Sequence, residues 1–147
     1  MDRIRGFTVL ELVVALIIGG ILTSIALSGF GNARGPYAVR GARTTFAALH
    51  ARTRAQAIEA GSTMLLFVDV AGDSAFIWGG RNLETIHFGE ELNVDLRSKT
   101  GNIRLCMNAR GFANPDCNNF TSPVELQFWH NADTASVQVL PMGQLVY

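Results

Sequence analysis

One carboxylate stands inside the longest apolar run of the chain and poses its first chemical question. Residues 7–30 read FTVLELVVALIIGGILTSIALSGF, with Glu11 as the single charge among twenty-four residues. An acidic side chain costs about 2.5 to 3.5 kcal/mol at the centre of a membrane-inserted helix, and less near an end, where it reaches the headgroups. Position alone leaves Glu11 open between such a snorkelling carboxylate and a functional one. The other reactive types are scattered. His50, His87 and His130 fall on different predicted elements, with no Gly-x-Ser-x-Gly, His-Glu-x-x-His or phosphate loop around them, so neither a catalytic residue nor a cofactor is expected. Asp69 with Asp73, and Glu90 and Glu91 with Asp95, lack the spacing of a calcium loop and read as solvated turns. Cys106 and Cys117 lie outside any Cys-x-x-Cys and have no histidine at zinc-ligand spacing, so no metal is expected there. In an oxidising compartment they can pair. Two buried free thiols are the alternative, decided by a Cα separation the sequence does not contain.

The elements that must carry these residues follow from pattern. A helix over residues 7–30 is about 36 Å long, enough for a hydrocarbon core of about 30 Å. Arg3 and Arg5 precede it, so the N-terminus is expected in the cytoplasm and the rest outside. Small residues recur at fourfold spacing, Ala15, Gly19 and Thr23 in one row, Gly20, Ser24 and Ser28 in another, which suits close helix packing in lipid. Fraying or a kink is expected at Gly29, Gly31, Gly35 and Pro36. Helical periodicity then returns, with Val39, Ala42, Phe46, Leu49, Thr53, Ala57 and Ala60 forming one stripe. Arg40, Arg43, His50 and Arg54 lie on another face, either solvated or a contact surface for acidic neighbours or lipid headgroups. Gly61 supplies the stop.

Beyond Gly61 the pattern changes to short strands, predicted at 63–70, 74–78, 85–88, 93–96, 103–107, 124–130, 135–140 and 144–147, with no further helix. The expected fold class is therefore α+β: a long N-terminal hydrophobic helix, half transmembrane and half amphipathic, packed on a small antiparallel β-sheet or sandwich head. The expected divisions are 1–6, 7–35, 36–61 and 62–147.

The string Arg3-Ile4-Arg5-Gly6-Phe7-Thr8-Val9-Leu10-Glu11 resembles the processing signal of type IV prepilins. The resemblance implies a leader of residues 1–6, cleavage after Gly6 by a prepilin peptidase, N-methylation of Phe7, and Glu11 as fifth residue of the mature chain. Phe7 would then carry an α-amino cation one helical turn from Glu11. In a bundle of parallel helices a shifted neighbour can set its Phe7 amine against this carboxylate, offsetting the desolvation each charge would suffer alone. Residues 47–58 and the following strand to Asp69 are similar to the helix-to-strand junction of the GspH/FimT family of pseudopilins and minor pilins. Residues 104–112 and 137–143 are similar to that family's final strands.

The resemblance implies a structural subunit, a minor pilin or pseudopilin of a type IV pilus or type II secretion pseudopilus. Its partners would be other pilins, the peptidase and the inner-membrane assembly platform. It would rest in the inner membrane before assembly and in a periplasmic or extracellular filament afterwards. A major pilin and a DNA-uptake minor pilin are the alternatives. DNA is disfavoured because no Lys or Arg follows Arg110, whereas phosphate neutralisation needs cations. The basic excess lies earlier: residues 32–60 hold five arginines against one acid, and residues 61–147 hold nine acids against five bases.

Overall fold

The computed structural model describes residues 8–147, with the side chains of 25–34 left out. The chain divides into two compact units, the first ending at Arg34 and the second running Gly35–Tyr147. Helix α1 (Val9–Ala60) is the longest element and enters both. Helical backbone continues through Gly35 and Pro36, so the chain does not fray there. A proline removes one intrahelical bond and crowds one carbonyl, and the turns on either side keep theirs.

Thr8 starts α1. Its Oγ1 accepts from Glu11 N (3.2 Å) and its carbonyl from Leu12 N (3.2 Å), satisfying donors that the first helical turn leaves free. At the far end Gly61 adopts φ +59°, with Gly61 N donating to Ile58 O and Ser62 N to Ala57 O. That paired closure needs a left-handed residue, which the predicted glycine stop provides.

In the second unit, β1 (Met64–Asp69), β2 (Ser74–Trp78), β3 (Asn82–His87) and β5 (Ile103–Met107) form an antiparallel sheet in the order β3-β2-β1-β5. A second antiparallel sheet joins β4 (Asp95–Arg97), β6 (Val124–His130), β7 (Asp133–Val139) and β8 (Leu145–Val146) in the order β4-β6-β7-β8. Alternate residues of β1 and β6 are buried, as a sheet with one covered face requires. Val39, Ala42, Phe46, Leu49, Thr53 and Ala57 of α1 are buried with those inner faces, whereas Ala60, expected in the stripe, is exposed beside the helix end. Phe46 meets Phe128 of β6 at 5.9 Å between ring centroids, and Phe128 meets Phe88 at 5.7 Å.

Phe88 belongs to a short helix, α2 (Phe88–Leu92), where no helix was expected. The cause is Asp73, whose carbonyl accepts from Phe88 N (2.8 Å) while its carboxylate accepts from Leu96 N (2.6 Å). Bound at both groups, the chain between β3 and β4 coils into a turn closed by Asn93 in the left-handed region, φ +54°.

Cys106 and Cys117 are joined in a disulfide, Cα–Cα 5.8 Å. The bridge ties residues 108–119 along the outer edge of β5, where asparagine amides stand in for a missing strand. Asn118 Oδ1 accepts from Cys106 N (2.9 Å) and its Nδ2 donates to Pro141 O (3.0 Å); Asn119 Oδ1 accepts from Arg104 N (2.8 Å). An uncovered edge invites pairing with foreign chains, so this cover serves solubility as well as stability. Asn118→Ala strands a donor and an acceptor that are part-buried, and is expected to lower stability by about 2 kcal/mol in urea unfolding. An unchanged midpoint would show that water replaces the amide.

Candidate functional site

Two regions hold the chemistry singled out by sequence. The first is the N-terminal part of α1. Gly6 and Phe7 lie outside the described residues, and Glu11 is exposed in the first turn. Its own N–H is held by Thr8, so the carboxylate sits where the helix dipole favours negative charge. Around and beyond it the large apolar side chains of residues 9–22 are 45 to 82% exposed, on every side of the helix. Such a helix has no solvated face and calls for lipid or other helices around it.

Gly19 and Gly20 have nothing within 4 Å of where a Cβ would stand, leaving two open notches in that surface. Thr23 turns its hydroxyl inward, donating to Gly19 O (2.7 Å). Ala15, Gly19, Gly20, Thr23 and Ser24 are all exposed, while the Ser28 side chain lies outside the described residues. Among the described residues no helix is long and apolar enough to cross a membrane. Of the apolar run, residues 7–30, Phe7 lies outside the described residues and the side chains of 25–30 are left out.

The second region is the seam between α1 and the last hairpin. His50, expected among the arginines of an outer face, is only 6% exposed. Its Nε2 lies 3.1 Å from Gly143 O, and Arg54 Nη2 donates to the same carbonyl at 2.9 Å. A carbonyl accepts, so Nε2 of the imidazole carries a proton. Burial, and then the positive charge of Arg54, push the His50 pKa from 6.5 down to about 4, against the upward pull of the Gly143 hydrogen bond. Gly143 itself has φ +79° and a Cβ there would meet Ala113 Cβ at 2.9 Å, which fixes glycine at this turn.

The remaining arginines divide. Arg52 pairs with Glu84 of β3, and the Arg43 guanidinium lies 5.4 Å from the centre of the Tyr147 ring. Arg40 is exposed. Sequence reasoning missed the His50–Gly143 link because 93 residues separate the partners and neither lies in a motif.

His87 and His130 do not join His50: His130 Nδ1 bonds to Asn93 O and His87 is exposed at the end of β3. Of the acidic groups weighed for calcium, the Asp73 carboxylate is engaged by Leu96 N and that of Glu91 by His87 N. Among the described residues no three His, Cys, Asp or Glu side chains converge on a point where a cation could sit.

Comparison with known proteins addresses both regions. Residues 1–27 match the prokaryotic N-terminal methylation motif. Two crystal forms of the type IV minor pilin FimU of Pseudomonas aeruginosa share the fold. One has a TM-score of 0.57 at 11% identity, covering 74% of this chain and 86% of FimU; the other has 0.53 at 12%, covering 73% and 90%. No curated protein sequence matches the chain. At these identities the likeness establishes the fold: a long N-terminal helix packed on an antiparallel head, as in type IV pilins.

Proposed function

We propose, from the premise that this chain is type IV pilin-like in motif and fold, that it is a minor filament subunit of the GspH/FimT kind. In this reading residues 1–6 are a leader removed after Gly6, and residues 7–35 form the membrane and assembly helix. Residues 36–61 form the amphipathic half, and residues 62–147 the head. Before assembly the helix crosses the inner membrane once, N-terminus in the cytoplasm, and prepilin peptidase and the assembly platform act on it there. Afterwards it packs among the helices of other pilins in a type IV pilus or a secretion pseudopilus.

The observation that carries the reading is the contrast within α1. Its first part exposes apolar side chains all round with one acid at the start, while its second part buries a single stripe in a closed head. Lipid and a helical filament core are the two surroundings that satisfy the first part, and a subunit that moves from one to the other needs both. The small-residue rows supply the close approach that helix packing requires.

Mass spectrometry of the mature protein from membranes tests the reading. A chain starting at N-methylated Phe7 is expected. A start near Gly29, or an unprocessed N-terminus in filaments, would overturn it. Copies per filament then separate a minor from a major subunit, and few are expected.

A further inference from the structure

In the second sheet Leu96, Leu126, Phe128 and Val137 are buried in the core, so the residues that alternate with them line the opposite, outer face. The register sets Arg97 opposite Gln127 and Gln127 opposite Ser136, in one row across three strands. The next row is Asp95, Trp129 and Thr134. Trp129 is half-buried and is the one aromatic ring in these two rows. The Arg97 guanidinium carbon lies 3.3 Å from the centre of that ring, where the electron-rich face attracts a cation.

This contact decides what Arg97 does not touch. Glu125 and Trp129 stand on either side of Gln127 along β6, and Arg97 is opposite Gln127. An arginine drawn to Trp129 therefore leans away from Glu125. Arg97, Ser98, Lys99, Glu125 and Gln127 surround a cleft of about 200 Å³. Among the described residues neither Arg97 nor Lys99 forms a salt bridge with Glu125, although all three line that cleft.

The polar groups of the cleft are sorted by side. Strand β4 and the turn after it bring donors: two cations, and the Ser98 hydroxyl, whose oxygen accepts from Thr100 N (3.3 Å) and whose proton remains to be given. Strand β6 brings acceptors. Gln127 Nε2 donates to Glu125 Oε1 (3.2 Å), which turns the other carboxylate oxygen and the Gln127 carbonyl to outside partners. A ligand that satisfies both sides carries a negative charge at one end and hydroxyl protons at the other.

We propose that this cleft binds a sugar acid, a uronate residue of an acidic polysaccharide. Its carboxylate would take the paired bonds that an arginine offers, with Lys99 beside it. Its ring hydroxyls would donate to Glu125 and Gln127 and accept from Ser98. Phosphate would set charge against Glu125 with too few protons to offer, and a plain carboxylate would leave the acceptors unmet. The row from Arg97 through Gln127 to Ser136 stays polar at about 4.8 Å per strand, so the next sugar of a chain would also lie on hydrogen-bonding groups. This goes beyond filament assembly through the N-terminal helix and does not depend on it.

The test uses the full chain in a neutral detergent without a sugar headgroup, titrated calorimetrically with a glucuronate trisaccharide. A Trp78→Phe background leaves Trp129 as the sole indole, and its emission should change on binding. The trisaccharide should bind at least tenfold more tightly than its analogue with carboxylates reduced to alcohols. It should exceed tricarballylate, which has carboxylates and no hydroxyl, by as much. Arg97→Gln with Lys99→Gln should weaken it at least tenfold. Glu125→Gln separates a shaped site from diffuse attraction: loss of an acid strengthens any anion held by net charge alone, whereas the trisaccharide should weaken at least fivefold. These side chains lie on the outer face, so the variants spare the core. Absent binding, equal binding of either control, or tighter binding to Glu125→Gln would overturn the proposal. Binding without a change in Trp129 emission would place the ligand elsewhere and overturn it too, and so would a diglutamate peptide that binds as tightly as the trisaccharide.

Discussion

A chain carrying Glu11→Ala is expected to fractionate with membranes like the unaltered chain and to be absent from sheared filaments. The helix survives the change, because Thr8 still holds the N–H of residue 11 and only the carboxylate at the helix start is lost, about 0.3 to 1 kcal/mol. Insertion becomes easier, since the one acid of the apolar run is gone. In the proposed assembly what would disappear is the partner for a neighbour's Phe7 amine, leaving an uncompensated charge in an apolar bundle. Glu11→Gln has nearly the same shape and should fail in the same way, which assigns the loss to charge rather than volume. Immunoblots of the membrane and sheared fractions decide the matter. Full incorporation of either variant would return Glu11 to the snorkelling reading.

Acid should loosen the head through His50. Its folded pKa of about 4 lies below the unfolded value of 6.5, so between these pH values the unfolded chain holds a proton that the folded chain does not. Stability therefore rises with pH across this window and falls as pH drops from 6.5 toward 4. Each pH unit is about 1.4 kcal/mol, so the whole window is worth roughly 3 kcal/mol. Carboxylates titrate near its lower end and would blur the result in one protein alone. His50→Gln separates them: the amide can still donate to Gly143 O and cannot titrate. Urea unfolding at pH 7, 5.5 and 4 should give a steeper loss for the unaltered chain, by about that amount at pH 4. Parallel profiles would remove His50 as the cause.

The parts of this fold written in short-range pattern were legible in the sequence. Gly61 stops α1, the stripe from Val39 to Ala57 is buried, and six of the strands coincide closely with runs of alternating or β-branched residues. The parts set by distant partners were not. Helix α2 forms because Asp73 binds the backbone on both sides of it, and nothing in Phe-Gly-Glu-Glu-Leu announces that. His50 reads with the arginines by its polarity, yet on a helical wheel it stands about 20° from Val39 and Ala57 and about 80° from Arg40, and it is buried against a carbonyl from the last hairpin while Arg40 is exposed. Pro36 and its glycines signalled fraying or a kink, and the helical backbone runs through them without fraying. At the candidate site the composition of the apolar helix was plain, whereas the cleft of Arg97 and Gln127 is visible only once the register of β4 on β6 is known.

The asparagine cover on β5 also gives the head a chemical lifetime. Asparagine is among the least durable side chains, and its amide hydrolyses slowly to a carboxylate. An aspartate at position 118 could still accept from Cys106 N but could no longer donate to Pro141 O, and would set a negative charge against that carbonyl instead. Ageing at this one residue would begin to unfasten the cover from the final hairpin, so the same amide that protects the edge limits how long it stays covered.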